Sequence, residues 1–122
     1  MKLLHLEDNP ADAELVRELL LTEWPDAEIT LVGARTDYQA ALGGRKFDLI
    51  LSDFTLVNFN GLEALEIAKT LTPDVPFIFL SGSIGEDLAI EAVRSGAKDY
   101  VIKDRIKRLV TAIHRAVSEN QE

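Results

Sequence analysis

Three carboxylates, one hydroxyl and one ammonium stand at the ends of short apolar runs in this chain. Glu7 and Asp8 follow residues 2–6, Asp53 follows residues 47–52, Ser81 closes residues 76–81, and Lys103 follows residues 99–102. If those runs are parallel strands, all five groups meet at one edge of a sheet, where open α/β folds bind ligands. Carboxylates gathered there resist joint ionisation unless a cation neutralises them, and hard oxygen donors with nothing softer nearby suit Mg²⁺. Such an ion completes its shell with water and phosphate oxygens, and Lys103 and Ser81 are the right types to hold a phosphate. A carboxylate beside it can act as a nucleophile towards phosphorus, which makes Asp53 the candidate for aspartyl-phosphate chemistry. Asp and Ser at strand ends also cap helices, and Glu7-Asp8 alone reads equally well as two turn residues. Asp53 differs, because it emerges from Leu49-Ile50-Leu51 and precedes Phe54 with no helix start behind it.

The elements that would position these groups alternate strand and helix five times. Residues 2–6 form a strand, and Asn9-Pro10 reads as N-cap and first residue of a helix running to about Trp24, with Pro25 stopping it. Residues 28–32 alternate like a half-buried or edge strand. Thr36 or Asp37 then caps a short helix that ends at Gly43-Gly44. The third strand spans 47–52, and Asn60-Gly61 opens a helix over 62–71 with Pro73 just beyond. Residues 76–81 are apolar on consecutive positions, as a strand covered on both faces should be. A helix over 86–95 stops at Gly96, a strand covers 99–102, and a last helix runs from about Asp104 to Ser118. Right-handed crossovers wind five such units into one sheet with helices on both sides, an α/β three-layer sandwich.

At 122 residues and 47% apolar, the chain suits one globular domain, residues 1–122. No apolar run is long enough to span a bilayer and no leader pattern opens the chain, so a soluble, unprocessed protein is expected. The absence of cysteine excludes thiolate metal sites and agrees with a cytoplasmic location. A net charge of −8 argues against direct nucleic-acid binding. Residues 98–122 carry 6 basic and 4 acidic side chains, so the cationic end is the last helix, read as a solvated amphipathic face rather than an anion site.

In this order and spacing the residues resemble the receiver domain of bacterial two-component response regulators. The likeness covers essentially the whole chain: Leu4-His5-Leu6-Glu7-Asp8-Asn9, Asp48-Leu49-Ile50-Leu51-Ser52-Asp53, Asn60-Gly61-Leu62-Glu63, Gly96-Ala97-Lys98-Asp99-Tyr100 and Lys103 each match a family segment. The resemblance implies a five-stranded parallel sheet in flavodoxin-like order 2-1-3-4-5 with five helices. It implies that Glu7, Asp8, Asp53 and the backbone carbonyl of Thr55 hold Mg²⁺, or Mn²⁺ in its place. Asp53 would accept a phosphoryl group from a sensor histidine kinase, a histidine phosphotransfer domain or a small phosphodonor, with Ser81 and Lys103 binding its oxygens. Tyr100 would turn inward as Ser81 moves and alter the surface of the fourth helix, fifth strand and fifth helix, where a homodimer would also form. Without the resemblance, Tyr100 reads as an aromatic packed at the sheet edge.

Two positions depart from the family pattern. Val57 replaces a common proline, which predicts a looser loop after the third strand, and Asp104 replaces the proline after the lysine. That Lys-Pro bond is typically cis in the family. A cis bond before a non-proline residue costs about 2.5 to 4 kcal/mol, so a trans bond, or a strained one with a compensating contact, is expected, with Asp104 as N-cap of the last helix the favoured explanation. Receivers with Lys-Asp here include some fused to sensor modules, so output or sensor domains outside this chain are expected. Two rival functions are a phosphorylation-independent pseudo-receiver and a Mg²⁺-dependent aspartate-nucleophile phosphatase. Thr55 stands where such a phosphatase needs a second acid, and the retained acidic pair, Asp53, Ser81 and Lys103 count against the pseudo-receiver.

Overall fold

The computed structural model describes residues 1–56, 59–82 and 86–121. Five parallel strands form the sheet: β1 (Lys2–Leu6), β2 (Glu28–Val32), β3 (Leu49–Ser52), β6 (Phe77–Ser81) and β7 (Asp99–Ile102), in the order β2-β1-β3-β6-β7. That is the 2-1-3-4-5 order once a two-residue antiparallel pair, β4 (Thr55–Leu56) and β5 (Phe59–Asn60), is set aside. No pattern in the sequence signals this pair. Val57, and with it the expected looser loop, lies outside the described residues; the flanking Thr55 and Leu56 pair with Asn60 and Phe59.

Side-chain alternation along buried strands divides the core in two. Leu4, Leu6, Ile50, Phe77 and Phe79 point to one face, where they pack with residues of α2 (Arg35–Gly44), α3 (Gly61–Leu71) and α4 (Glu86–Arg94). Leu3, Leu49, Leu51, Ile78 and Leu80 point to the other and pack against α1 (Pro10–Glu23) and α5 (Arg108–Gln121). Both faces of β3 and β6 are therefore buried, which is why their sequences are apolar without alternation. Each fully buried leucine contributes roughly 1.5–3 kcal/mol by the area it removes from water. The edge strand β2 is only partly buried, as its alternation predicts.

Helix starts set the loops that carry the site. Asn9 caps α1, its side-chain oxygen accepting from the amides of Ala11 (3.0 Å) and Asp12 (3.2 Å), with Pro10 at the first helical position. Asn60 caps α3 through the Glu63 amide at 3.0 Å, and its own amide donates to Glu63 Oε1 at 3.1 Å. Gly61 follows because no larger residue fits. A Cβ there would sit 2.5 Å from Phe79 Cε1 and 2.9 Å from both Asp53 O and Phe54 Cα. Gly96, at φ +116°, ends the turn after α4 as expected.

Two expected starts are corrected. The helix before Gly43-Gly44 begins at Arg35 with Ala34 as N-cap and no side-chain cap, so Thr36 and Asp37 lie inside its first turn. Asp104 does not cap the last helix. Lys103–Arg105 form a 3-10 turn first, so Asp104 lies inside that turn, and α5 starts only at Arg108. The Lys103–Asp104 bond is trans, as expected.

Candidate functional site

The carboxyl ends of β1, β3 and β7 bring Glu7, Asp8, Asp53 and Lys103 together. Parallel register sets the spacing: Leu6 pairs with Ser52, so Glu7 and Asp53 leave the sheet side by side. The Asp53 amide donates to Leu6 O at 3.0 Å, and its carbonyl accepts from Ser52 Oγ at 2.8 Å, which pins the backbone on both sides of the carboxylate. Asp53 Oδ1 accepts from the Thr55 amide at 3.3 Å. Oδ2 accepts from Lys103 Nζ at 3.0 Å. Asp53 is buried, at 8% exposure.

Lys103 Nζ also donates to Glu7 Oε1 at 2.6 Å and to Asp12 Oδ2 at 2.7 Å. Burial alone would depress the pKa of this ammonium, but bonds to Asp12, Glu7 and Asp53 outweigh it and hold the lysine firmly protonated. Glu7 is buried, and desolvation raises its pKa; the bonds from Lys103 and from the Asn9 amide offset only part of that, and the charge of Asp53 adds to it. Three carboxylates, Glu7, Asp12 and Asp53, thus share one ammonium, and Asp8 lies beside Glu7 and Asp53.

Asp12 was not singled out from the sequence. Its signal was local: it is the third residue of α1 after a capping Asn9, and α1 begins over the end of β1. His5 carries no sequence signal beyond its place in the first strand. It is buried beneath the cluster with no hydrogen-bond partner for Nε2, and burial, followed by the charge of Lys103, lowers its pKa to about 4. It is therefore neutral at pH 7.

A ligand oxygen from each of Glu7, Asp8 and Asp53 lies within 4.8 Å of the other two. Ionised carboxylates gathered so closely repel one another, so a divalent cation would relieve the cluster. The all-oxygen donor set and its partial openness, Asp8 being exposed, fit a Mg²⁺-type ion that keeps several waters. Thr55 is placed beside Asp53 by its amide bond, at the start of β4.

Ser81 and Tyr100 make no hydrogen bond to this cluster among the described residues. Ser81 is buried at the end of β6, opposite Ile102, and among the described residues no hydrogen bond joins its hydroxyl to Asp53 or Lys103. Tyr100 lies on β7 opposite Phe79, half-buried and packed against the larger core. It lines an open groove of about 400 Å³ with Ile90, Val93 and Arg108. Arg108 donates to the Tyr100 carbonyl (2.7 Å) and to Asp99 Oδ1 (2.9 Å), tying α5 to the edge of β7. No helix among the described residues is long and apolar enough to cross a membrane.

Known proteins resemble this chain in sequence and fold. The family model for the response regulator receiver domain matches residues 3–114. Regulatory protein LuxO of Vibrio cholerae is 36% identical over 118 residues, which are 93% of this chain and 26% of that protein, so the chain spans about a quarter of this relative. A CheY-like response regulator receiver domain protein from Methanospirillum hungatei superposes with a TM-score of 0.87 at 23% identity, covering 98% of this chain and 95% of that one. A response regulator from Burkholderia pseudomallei, solved with a phosphorylated aspartic acid, a calcium ion and citrate, gives a TM-score of 0.82 at 26% identity, covering 98% of this chain and 70% of that one.

Proposed function

The chain belongs to the response regulator receiver domain family, and from that premise we propose that residues 1–122 act as one phosphoacceptor switch in which Asp53 receives a phosphoryl group from a phosphohistidine. The observation that carries this reading is the constellation at Asp53. Its carboxylate stands 3.0 Å from Lys103 Nζ and within 4.8 Å of two further acids that suit a divalent cation.

In the reaction an Asp53 carboxylate oxygen attacks phosphorus. The P–O bond forms as the P–N bond to the donor imidazole breaks, and the imidazole leaves with the bonding pair and takes up a proton. Glu7, Asp8, Asp53 and the Thr55 carbonyl would hold Mg²⁺ or Mn²⁺, which when bound supplies positive charge to the transferring phosphoryl oxygens. Lys103 exchanges a carboxylate for a phosphoryl oxygen, and Ser81 turns its hydroxyl to another. Tyr100 follows Ser81 inward, changing the surface of α4, β7 and α5. A population shift of this kind needs the phosphate to contact the two conformations unequally, and those contacts are the source of the difference.

The donor is a sensor histidine kinase or histidine phosphotransfer domain in the cytoplasm. The output is a partner or a fused domain outside these 122 residues, with a homodimer through α4, β7 and α5 as one form of it. The chemistry is self-catalysed acceptance and loss of one phosphoryl group, without turnover of a substrate. Neither nucleic acid nor membrane is contacted directly.

The test is incubation with acetyl phosphate or beryllofluoride with and without Mg²⁺, read by intact mass and amide spectra, and repeated with Asp53→Asn. A Mg²⁺-dependent gain of one phosphoryl group, lost in the variant, supports the reading. No response in the parent sinks it in favour of a phosphorylation-independent module. Rapid hydrolysis of small phosphate esters would point instead to a phosphatase.

A further inference from the structure

We infer that Asp12 is a positioning residue for Lys103, a tether that keeps the ammonium beside Asp53 while the other carboxylates are engaged elsewhere. The inference rests on the phosphoacceptor reading above and adds a residue to it.

A lysine ammonium has three donors, and here all three are committed, to Glu7 at 2.6 Å, Asp12 at 2.7 Å and Asp53 at 3.0 Å. Two of those partners, Glu7 and Asp53, also belong to the group of acids able to hold a cation. Asp12 is the one partner outside it. When a cation draws on the oxygens of Glu7 and Asp53, the same cation repels Lys103, and Asp12 is the acid left to retain it.

The geometry suits a tether. Asp12 is the third residue of α1, with its amide fixed to the Asn9 cap at 3.2 Å, so its backbone cannot drift. Lys103 leads out of the sheet edge on a flexible four-carbon stem whose ordering has an entropic cost. Its three partners lie 96, 91 and 50 residues away. Contact with Asp12 therefore fixes the stem against α1, and the donors facing Glu7 and Asp53 are the ones free to change partners when a cation and a phosphoryl group arrive. The Asp12 side chain is 36% exposed, which leaves its bond to Lys103 partly screened, so a moderate effect is expected.

The experiment measures the rate of Asp53 phosphorylation at saturating Mg²⁺ and acetyl phosphate, together with the Mg²⁺ dissociation constant and the urea midpoint. It covers the parent, Asp12→Asn, Asp12→Glu, Lys103→Met and the Asp12→Asn/Lys103→Met double variant. Asp12→Asn should slow the saturated rate by about tenfold, the order of one partly screened charge-assisted hydrogen bond, and leave Mg²⁺ affinity within about threefold. Asp12→Glu should recover most of the rate. In the Lys103→Met background the Asp12 change should add nothing, since a tether without its lysine has no task.

A saturated rate within about twofold of the parent in Asp12→Asn would overturn the inference while the phosphoacceptor reading stood. So would an equal slowing in the Lys103→Met background, which would assign Asp12 an effect independent of the lysine. If the parent itself takes up no phosphoryl group, the reading fails and the inference falls with it. Should Asp12→Asn fold poorly, the comparison of Asp12→Glu with the parent decides: a rate lowered well beyond a few-fold in a well-folded Asp12→Glu variant overturns the inference.

Discussion

Replacing Lys103 with methionine removes one charge from beneath three carboxylates and keeps most of the stem. Glu7 is wholly buried at its side chain, Asp53 retains 11% exposure and Asp12 36%. Removing one member of a buried ion pair typically costs about 3–5 kcal/mol, because the partner's desolvation is left uncompensated. The Asp12 bond, more than a third exposed, adds no more than about 1 kcal/mol. Glu7 limits the loss by taking up a proton, since burial already holds its pKa above the ordinary range. The expected cost at pH 7.5 in EDTA is therefore about 3 kcal/mol, or a fall of roughly 2 M in the urea midpoint at a slope of about 1.5 kcal/mol/M. Two conditions should shrink it. Mg²⁺ at a hundred times its dissociation constant adds about 2.7 kcal/mol to any form that binds it, and the variant, freed of a competing cation, should gain more than the parent. Acid should act likewise: a carboxyl with a raised folded pKa stabilises below its unfolded value and loses that contribution as pH rises, so the penalty should be smaller at pH 5 than at 7.5. Equilibrium urea unfolding under the three conditions is the assay. A loss under about 1 kcal/mol in EDTA, or one that neither Mg²⁺ nor acid reduces, would refute the claim that Lys103 neutralises this cluster.

Three further outcomes follow from local geometry. Tyr38 is buried and donates to Ala64 O at 2.7 Å, so Tyr38→Phe should cost about 1 kcal/mol at neutral pH. Burial holds this phenol well above its usual value of about 10; the parent should lose about 1.4 kcal/mol per pH unit above that as the unfolded tyrosine ionises first, and its advantage over Tyr38→Phe should vanish in urea titrations near pH 11. Gly61→Ala should destabilise by about 1–3 kcal/mol in urea despite alanine's better helix propensity, because backbone atoms of Asp53 and Phe54 occupy the space its Cβ needs. Asn60→Ala should lower the urea midpoint by the equivalent of about 1 kcal/mol through loss of the bond to the Glu63 amide, a cost that restoring the cap as Asn60→Asp should largely erase.

The amino-acid sequence determined what local physics controls. The unbroken apolar run at β6 announced a strand covered on both faces, Asn9-Pro10 and Asn60-Gly61 announced helix starts, and Gly96 announced a stop, because caps and side-chain periods act within about four residues. The strand ends then nominated Glu7, Asp8, Asp53 and Lys103, and the fold brought those four together. The start of α2 was misplaced because Ala34 caps without its side chain, leaving no residue type to read. Only the tertiary structure decided that Asp12, rather than Ser81, shares Lys103 with Asp53. It also set a 3-10 turn ahead of α5 and buried His5 without a partner for Nε2. Those outcomes depend on where a helix begun at Asn9 comes to rest against a strand end some ninety residues later, a distance no local pattern spans. The identities of the charges were written along the chain; which of them share one ammonium was settled by packing.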